Sequence, residues 1–192
     1  MQATLDRRDV PTRRRFDVGA YYRMADTGIL APKDRVELID GEIVEMAPIG
    51  SAHGGTTTHL ATLVARAVAD GVVQASVQGP LRLDVFNEPQ PDLMLLRPRA
   101  DFYRSRHPTA ADVLLLVEVA DSSLTFDRGP KLALYARHAV PEVWIVDLPS
   151  RAIEICRSPG LEGYTELRRL TAGMVAPTLS PGLEIDVAAL LA

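Results

Sequence analysis

The pattern of apolar and polar positions along the chain predicts helices that alternate with short strands. Apolar residues recur every three or four positions in two early stretches, which indicates helices over residues 16–30 and 51–70. Between them, two β-prone runs joined by Asp40-Gly41 predict a hairpin over residues 36–46. Short apolar runs predict further strands at 72–77, 81–86, 91–96, 112–119, 142–147, 152–156 and 164–170.

The second half of the chain predicts how these strands are arranged. Residues 112–119 are almost continuously apolar, as expected for a central strand that is covered on both faces. Gly129-Pro130 is expected to open a helix that Pro141 ends, so residues 112–147 form a strand–helix–strand crossover unit. The last two predicted strands, residues 152–156 and 164–170, are expected to add to the sheet in antiparallel orientation. The fold class is therefore α/β or α+β, with a mixed sheet flanked by helices.

Composition and charge narrow the class of protein. The chain has 192 residues, 47% of them hydrophobic, and a net charge of −4, which excludes disorder as its general state. We expect a flexible arginine-rich arm over residues 1–15 and a single domain over residues 16–192. The apolar runs are far shorter than the roughly 20 residues that a membrane-spanning helix needs. The arginines near the start are followed by no apolar stretch, which argues against a secretory signal.

Cysteine content and charge bear on compartment and partner. The single cysteine, Cys156, excludes an internal disulfide and a cysteine-based zinc site, and the cytoplasm is the expected compartment. A sequence pI of about 5.6 weighs against binding to nucleic acid through phosphate neutralisation alone. Carboxylates gathered around a metal ion would still be compatible with DNA, since the ion reverses the local charge.

Two carboxylates stand inside apolar strand runs and need an explanation. Glu118 lies near the end of the predicted central strand, and Asp92 begins another. A buried ionised carboxylate must be paired, protonated or bound to a cation. If the two strands are neighbours, roughly 4.8 Å apart, both acids can reach one ion, and their hard oxygen atoms suit Mg²⁺ or Mn²⁺. The alternative is that each acid sits at a strand end and meets solvent or an arginine.

Two further residues could complete such a site. Lys131 falls in the first turn of the helix after the Glu118 strand, where an ammonium could steady an attacking water or the charge of a phosphate transition state. Its alternative is a solvated lysine on the helix surface. Glu37, in the hairpin, is a possible third acid, and its alternative is a solvent-facing strand residue.

Several segments together resemble one known family. They are residues 22–46, Pro91-Asp92, residues 118–123, Asp127 to Arg137, and Val140 to Asp147. Their order and spacing over roughly residues 16–160 resemble the Uma-type family of restriction endonucleases, which belongs to the PD-(D/E)XK nuclease superfamily. The resemblance implies a restriction-endonuclease-like fold and a metal-dependent site that hydrolyses phosphodiester bonds in DNA.

The resemblance also assigns residue roles. Asp92 and Glu118 would bind the metal, Mg²⁺ or Mn²⁺, and would be catalytic together with Lys131 and Glu37. The superfamily places its lysine two residues after the glutamate, where this chain has Ala120; the Uma-type pattern instead supplies Lys131 from the next helix. His53 matches a histidine that follows the family's hairpin, for which a structural role is an equal alternative.

DNA is the expected partner, and a homodimer is expected by analogy with nucleases that cut both strands. Arginines of the arm and of the central loop are candidate phosphate contacts, with ordinary solvated loop residues as the alternative; those of the loop are Arg97, Arg99, Arg104 and Arg106. Two other functions fit the same residues. One is a non-catalytic DNA-binding or interaction protein that keeps the nuclease fold, and the other is a structural dimer module.

Overall fold

A computed structural model describes residues 13–180 and 182–192 of the chain. The helices are α1 (Val18–Asp26), α2 (Ser51–Ala69), α3 (Leu124–Phe126), α4 (Leu132–Arg137) and α5 (Val187–Leu190), with a 3₁₀ turn at Ala110–Asp112 and a π-helical turn at Asp127–Lys131. The strands are β1 (Val36–Ile39), β2 (Glu42–Glu45), β3 (Gln74–Val77), β4 (Leu93–Leu96), β5 (Val113–Ala120), β6 (Glu142–Asp147), β7 (Ala152–Gly160), β8 (Gly163–Leu170), β9 (Met174–Val175) and β10 (Ile185–Asp186).

The predicted arm is only partly within the described residues. Residues 1–12 of the predicted arm lie outside the described residues, whereas Arg13 and Arg15 contact the hairpin at Glu42 and at the carbonyl of Asp40. Among the helices of residues 13–180 and 182–192, none combines the length and the apolar character needed to cross a membrane.

The centre of the fold is a six-stranded mixed sheet in the order β3-β4-β5-β6-β7-β8. β5 and β6 are parallel, and every other neighbouring pair in this sheet is antiparallel. The predicted mixed sheet flanked by helices is therefore confirmed. All eight residues of β5 are buried, as its continuous apolar run predicts.

Two hydrophobic clusters cover the two faces of the sheet. On one face, Leu60 and Val64 of α2 pack against Val117 and Trp144, and the segment from β9 to α5 extends this cluster. On the other face, Tyr135 of α4 packs with residues of β4, β5 and β6. The helix between the parallel strands and the helix after the hairpin thus lie on opposite faces of the sheet.

The hairpin formed by β1 and β2 has the turn that its sequence predicts. Asp40 and Gly41 both have positive φ, 49° and 77°, as a two-residue type I′ turn requires. The four residues of β1 are all buried, so this strand does not alternate between core and solvent.

The predicted strand over residues 81–86 is wrong. This segment has no regular structure and folds back on itself, with the Leu83 N–H bonded to the carbonyl of Asn87. The carboxylate of Asp84 accepts hydrogen bonds from the Phe86 N–H and from the Asn87 side chain. These local side-chain contacts satisfy the turn and compete with pairing in a sheet.

The predicted start of the helix at Gly129-Pro130 is also wrong. Helical structure begins at Leu124, and Pro130 lies inside the π-helical turn. A π turn widens the helix, which accommodates a proline that has no N–H to donate. The same turn leaves Asp127 and Lys131 both buried.

A buried carboxylate attaches the end of the chain to the sheet. Glu142 of β6 is 1% exposed and accepts hydrogen bonds from Trp144 Nε1 (2.6 Å), Arg157 (2.8 Å) and the Thr178 N–H (2.8 Å). Burial raises the pKa of Glu142, but these hydrogen bonds outweigh burial and bring the pKa below its ordinary value of 4.5. The ionised form therefore stabilises the fold.

Replacing Glu142 with glutamine is expected to lower the free energy of unfolding at neutral pH by about 2 kcal/mol, the contribution typical of hydrogen bonds to a charged group. Because the pKa is lower in the folded state, this contribution is complete above the ordinary pKa and is lost as the pH falls through the folded value. Urea denaturation of both proteins across this pH range measures the difference.

The matched control is Glu162→Gln, which changes an exposed glutamate in the turn between β7 and β8. It is expected to leave the free energy of unfolding unchanged at every pH. A difference between wild type and Glu142→Gln that stays constant down to acidic pH would contradict the assignment to an ionised Glu142.

Candidate functional site

The two acids singled out by the sequence lie on neighbouring strands. β4 and β5 are antiparallel, and Leu93 pairs with Val117, so that Asp92 and Glu118 follow this pair toward the same end of the sheet. The Val119 N–H donates a hydrogen bond of 2.8 Å to Asp92 Oδ2. The two strands are therefore neighbours, which the hypothesis of a shared ion requires.

Asp92 is held by side chains from two other elements. Its Oδ2 lies 3.0 Å from His53 Nε2, in the first turn of α2, and its Oδ1 accepts a hydrogen bond of 3.2 Å from Gln78. Burial raises the pKa of Asp92, but the hydrogen bonds from His53 and the Val119 N–H bring it below its ordinary value. His53, whose role the sequence left open, therefore contacts Asp92 directly.

Glu118 and Lys131 form a buried ion pair. Lys131 Nζ lies 2.8 Å from Glu118 Oε1 and 3.3 Å from Glu37 Oε2, and all three residues are at most 4% exposed. Burial raises the pKa of Glu118 to about 8, and the Lys131 ammonium opposes this shift and favours the ionised carboxylate. Burial lowers the pKa of Lys131, but the two glutamates raise it above its ordinary value, so the lysine is charged. Glu37 also accepts a hydrogen bond from the Gln90 N–H. Its solvent-facing alternative is thus wrong, as is the solvated alternative for Lys131.

Two residues that sequence reasoning did not single out belong to the same cluster. Tyr135 donates a hydrogen bond of 2.6 Å to Glu118 Oε1, and Asp127 accepts one of 2.5 Å from the Ser123 hydroxyl. Burial raises the pKa of Asp127. The available signal was helical spacing, because Asp127, Lys131 and Tyr135 follow one another at intervals of four residues.

The acids of this cluster, Lys131 and His53 border one cleft of about 350 Å³. Its walls come from the hairpin, the start of α2 and the segment from β5 to the π-helical turn. Glu37, Asp92, Glu118, Lys131 and His53 all line it. All four predicted catalytic residues therefore border a single cleft, although they come from widely separated parts of the chain.

The carboxylates of the cleft are compatible with a metal ion that has only one or two protein ligands. Within residues 13–180 and 182–192, no three or more histidine, cysteine, aspartate or glutamate side chains are arranged to hold a metal ion. Mg²⁺ commonly takes only one or two carboxylates and keeps several waters. Asp92 and Glu118, from adjacent strands, supply such a pair of hard oxygen donors.

The predicted phosphate contacts in the central loop lie outside this cleft. Two of these arginines are paired with acids, Arg99 with Asp101 at 2.9 Å and Arg106 with Asp112 at 2.7 Å. Arg104 stacks over the ring of the exposed Phe102. Their contact with phosphate stays a prediction.

Comparison with known proteins adds one family and one solved structure. The model of the Uma2 family, described as "Putative restriction endonuclease", matches residues 18–188. The crystal structure of "a putative nuclease belonging to DUF820" from Anabaena variabilis ATCC 29413 superposes with a TM-score of 0.71 and 12% sequence identity. The superposition covers 92% of this chain and 97% of the other, which shows a shared fold. A search among curated proteins finds no match.

Proposed function

The chain belongs to the Uma2 family of restriction-endonuclease-like proteins, and we propose that it is a Mg²⁺- or Mn²⁺-dependent endonuclease that hydrolyses phosphodiester bonds in DNA. The observation that carries the proposal is the convergence of Asp92, Glu118 and Lys131 on one cleft. Two carboxylates can hold a divalent ion and a nearby ammonium can stabilise developing charge, and both support metal-assisted hydrolysis of a phosphodiester.

Each of these residues has a role in the proposal. Asp92 and Glu118 would hold the divalent ion, which when bound supplies Lewis acidity and lowers the pKa of a coordinated water. Lys131 presents a fixed positive charge beside Glu118, where its N–H groups can orient the attacking water and offset charge on the phosphate. Glu37 contacts the same ammonium at 3.3 Å and would help to hold it in place.

The charge of the cleft supports a requirement for metal. Carboxylates outnumber cationic side chains around it: the acids are Glu37, Glu45, Asp92, Glu118, Asp121 and Asp127, and the bases are Arg35 and Lys131. A polyanion such as DNA would be repelled by this set alone. A bound divalent cation reverses the local charge and allows a phosphate to approach.

The proposal is tested with supercoiled plasmid and single-stranded DNA. Cleavage is expected with Mg²⁺ or Mn²⁺ and none with EDTA. In Ca²⁺, which occupies oxygen sites without the same chemistry, DNA affinity is expected to exceed that in EDTA by on the order of tenfold, because the cation offsets the acidic cleft. Cleavage is followed by gel electrophoresis and binding by fluorescence anisotropy.

Two outcomes of this test would contradict the proposal. DNA binding of equal strength in Ca²⁺ and EDTA, without cleavage in Mg²⁺, would favour the alternative of a non-catalytic DNA-binding protein. If the protein neither binds nor cleaves DNA, a structural or interaction role is favoured.

We also propose that two copies act together on duplex DNA, in which case the plasmid is linearised with little accumulation of the nicked form.

A further inference from the structure

We infer that Tyr135 is a positioning residue for the metal site: its hydroxyl and the Lys131 ammonium hold one oxygen of Glu118 so that the other oxygen is free to bind the divalent ion. This inference rests on the proposed function, because it concerns how Glu118 is presented to the ion.

The polar contacts of Glu118 are distributed unequally between its two oxygens. Tyr135 donates a hydrogen bond of 2.6 Å to Oε1, and the Lys131 ammonium lies 2.8 Å from the same oxygen in an ion pair. A carboxylate oxygen has about two lone-pair directions, so the hydroxyl occupies one of them while the ammonium lies against the same oxygen. Among the described residues, Oε2 accepts no hydrogen bond. The second oxygen therefore remains available to a cation.

Both donors come from one face of the same helical segment. Lys131 ends the π-helical turn and Tyr135 lies four residues later in α4, so their side chains are neighbours along the helix. Tyr135 is fully buried in the hydrophobic cluster of β4, β5 and β6. Packing of its ring fixes the position of the hydroxyl, and the hydroxyl in turn fixes the orientation of the carboxylate.

The two donors have different consequences when lost. Lys131 carries the charge that acts on the reacting phosphate, whereas Tyr135 contacts Glu118 alone among the charged groups of the cleft. Without the tyrosine hydroxyl, the Glu118 carboxylate gains rotational freedom and one lone pair of Oε1 becomes unfilled. Groups that orient a metal ligand commonly change metal affinity by about 10- to 100-fold. The catalytic groups themselves remain in place.

The chain offers a matched control for the removal of this hydroxyl. Tyr164 is also a buried tyrosine of the same cluster, and its hydroxyl donates a single hydrogen bond of 2.7 Å to the carbonyl of Val140. Tyr135→Phe and Tyr164→Phe therefore each delete one buried hydroxyl and one hydrogen bond. Only the first deletion touches a proposed metal ligand.

The experiment titrates Mn²⁺ alone into wild type and both variants by isothermal titration calorimetry. Tyr135→Phe is expected to raise the Mn²⁺ dissociation constant by about tenfold or more, and Tyr164→Phe to leave it unchanged. The Mg²⁺ concentration needed for half-maximal DNA cleavage is expected to rise in parallel, with the rate at saturating Mg²⁺ within a few-fold of wild type. In a Glu118→Gln background, Tyr135→Phe is expected to have no further effect on Mn²⁺ affinity.

The outcomes separate this inference from the proposed function. If wild type binds Mn²⁺ and Tyr135→Phe binds it equally well, the inference is overturned while the nuclease proposal stands. If wild type binds no Mn²⁺, both are overturned. Equal losses of affinity in the two tyrosine variants, or a loss that persists in the Glu118→Gln background, would assign the effect to core stability and overturn the positioning role.

Discussion

Asp92→Asn is expected to reduce Mg²⁺-dependent DNA cleavage by on the order of 10³-fold. The substitution removes the charge of a proposed metal ligand, and a bound metal ion stabilises transition-state charge by several kcal/mol. At about 1.4 kcal/mol for each tenfold change in rate, the loss of about 4 kcal/mol corresponds to this factor. Single-turnover cleavage of a short labelled duplex at saturating enzyme measures the rate directly.

The fold is expected to tolerate this change, because the asparagine oxygen can still accept the hydrogen bond of the Val119 N–H. The control is Asp70→Asn, which alters an exposed aspartate at the end of α2 and is expected to cleave like wild type. Circular dichroism establishes that both variants are folded. Undiminished cleavage by folded Asp92→Asn would remove Asp92 from the site and with it the proposed metal centre.

Lys131→Met is expected to reduce the cleavage rate by about 10²- to 10³-fold, the usual cost of deleting one electrostatic stabiliser of a transition state. The methionine keeps the length and apolar stem of the side chain but removes the ammonium. Because the loss concerns charge at the phosphate, it is expected in the rate at saturating Mg²⁺. This distinguishes Lys131 from Tyr135, whose loss should be overcome by added metal.

The chain contains a second lysine, the exposed Lys33, so Lys33→Met is the matched control and is expected to leave cleavage unchanged. Removing one partner of a buried ion pair can also destabilise the fold by about 3–5 kcal/mol. A Lys131→Met, Glu37→Gln double variant removes one charge of each sign and is expected to recover stability without recovering activity. Cleavage by the folded double variant at the wild-type rate would show that the ammonium has no role in the reaction.

Much of the fold could be predicted from short-range patterns. The Asp40-Gly41 pair specifies its turn because both residues tolerate positive φ, and the apolar run of β5 specifies a buried strand. Residues 81–86 show where such short-range patterns fail. Their alternation of apolar and polar residues is compatible with a strand, but the hydrogen bonds of the Asp84 side chain close a turn instead.

The candidate site was only partly visible in the sequence. Asp92 and Glu118 stand out because a charge inside an apolar run needs a partner. Lys131 and Glu37 were candidates, but which of these side chains contact one another could not be read from the chain. Glu37 comes from β1 and Lys131 from the π-helical turn, and His53 from the start of α2; no local pattern relates their positions.

The amino-acid sequence by itself determined most of the local elements, the acids that interrupt the apolar runs, and the pattern that resembles the family. These depend on backbone preferences and side-chain periodicity, which act between residues close together in the chain. Only the tertiary structure decided that Lys131 lies between Glu118 and Glu37 and that Tyr135 reaches the same carboxylate. Those contacts depend on how a helix packs over the sheet and where its π turn sets the buried face, which long-range packing alone establishes.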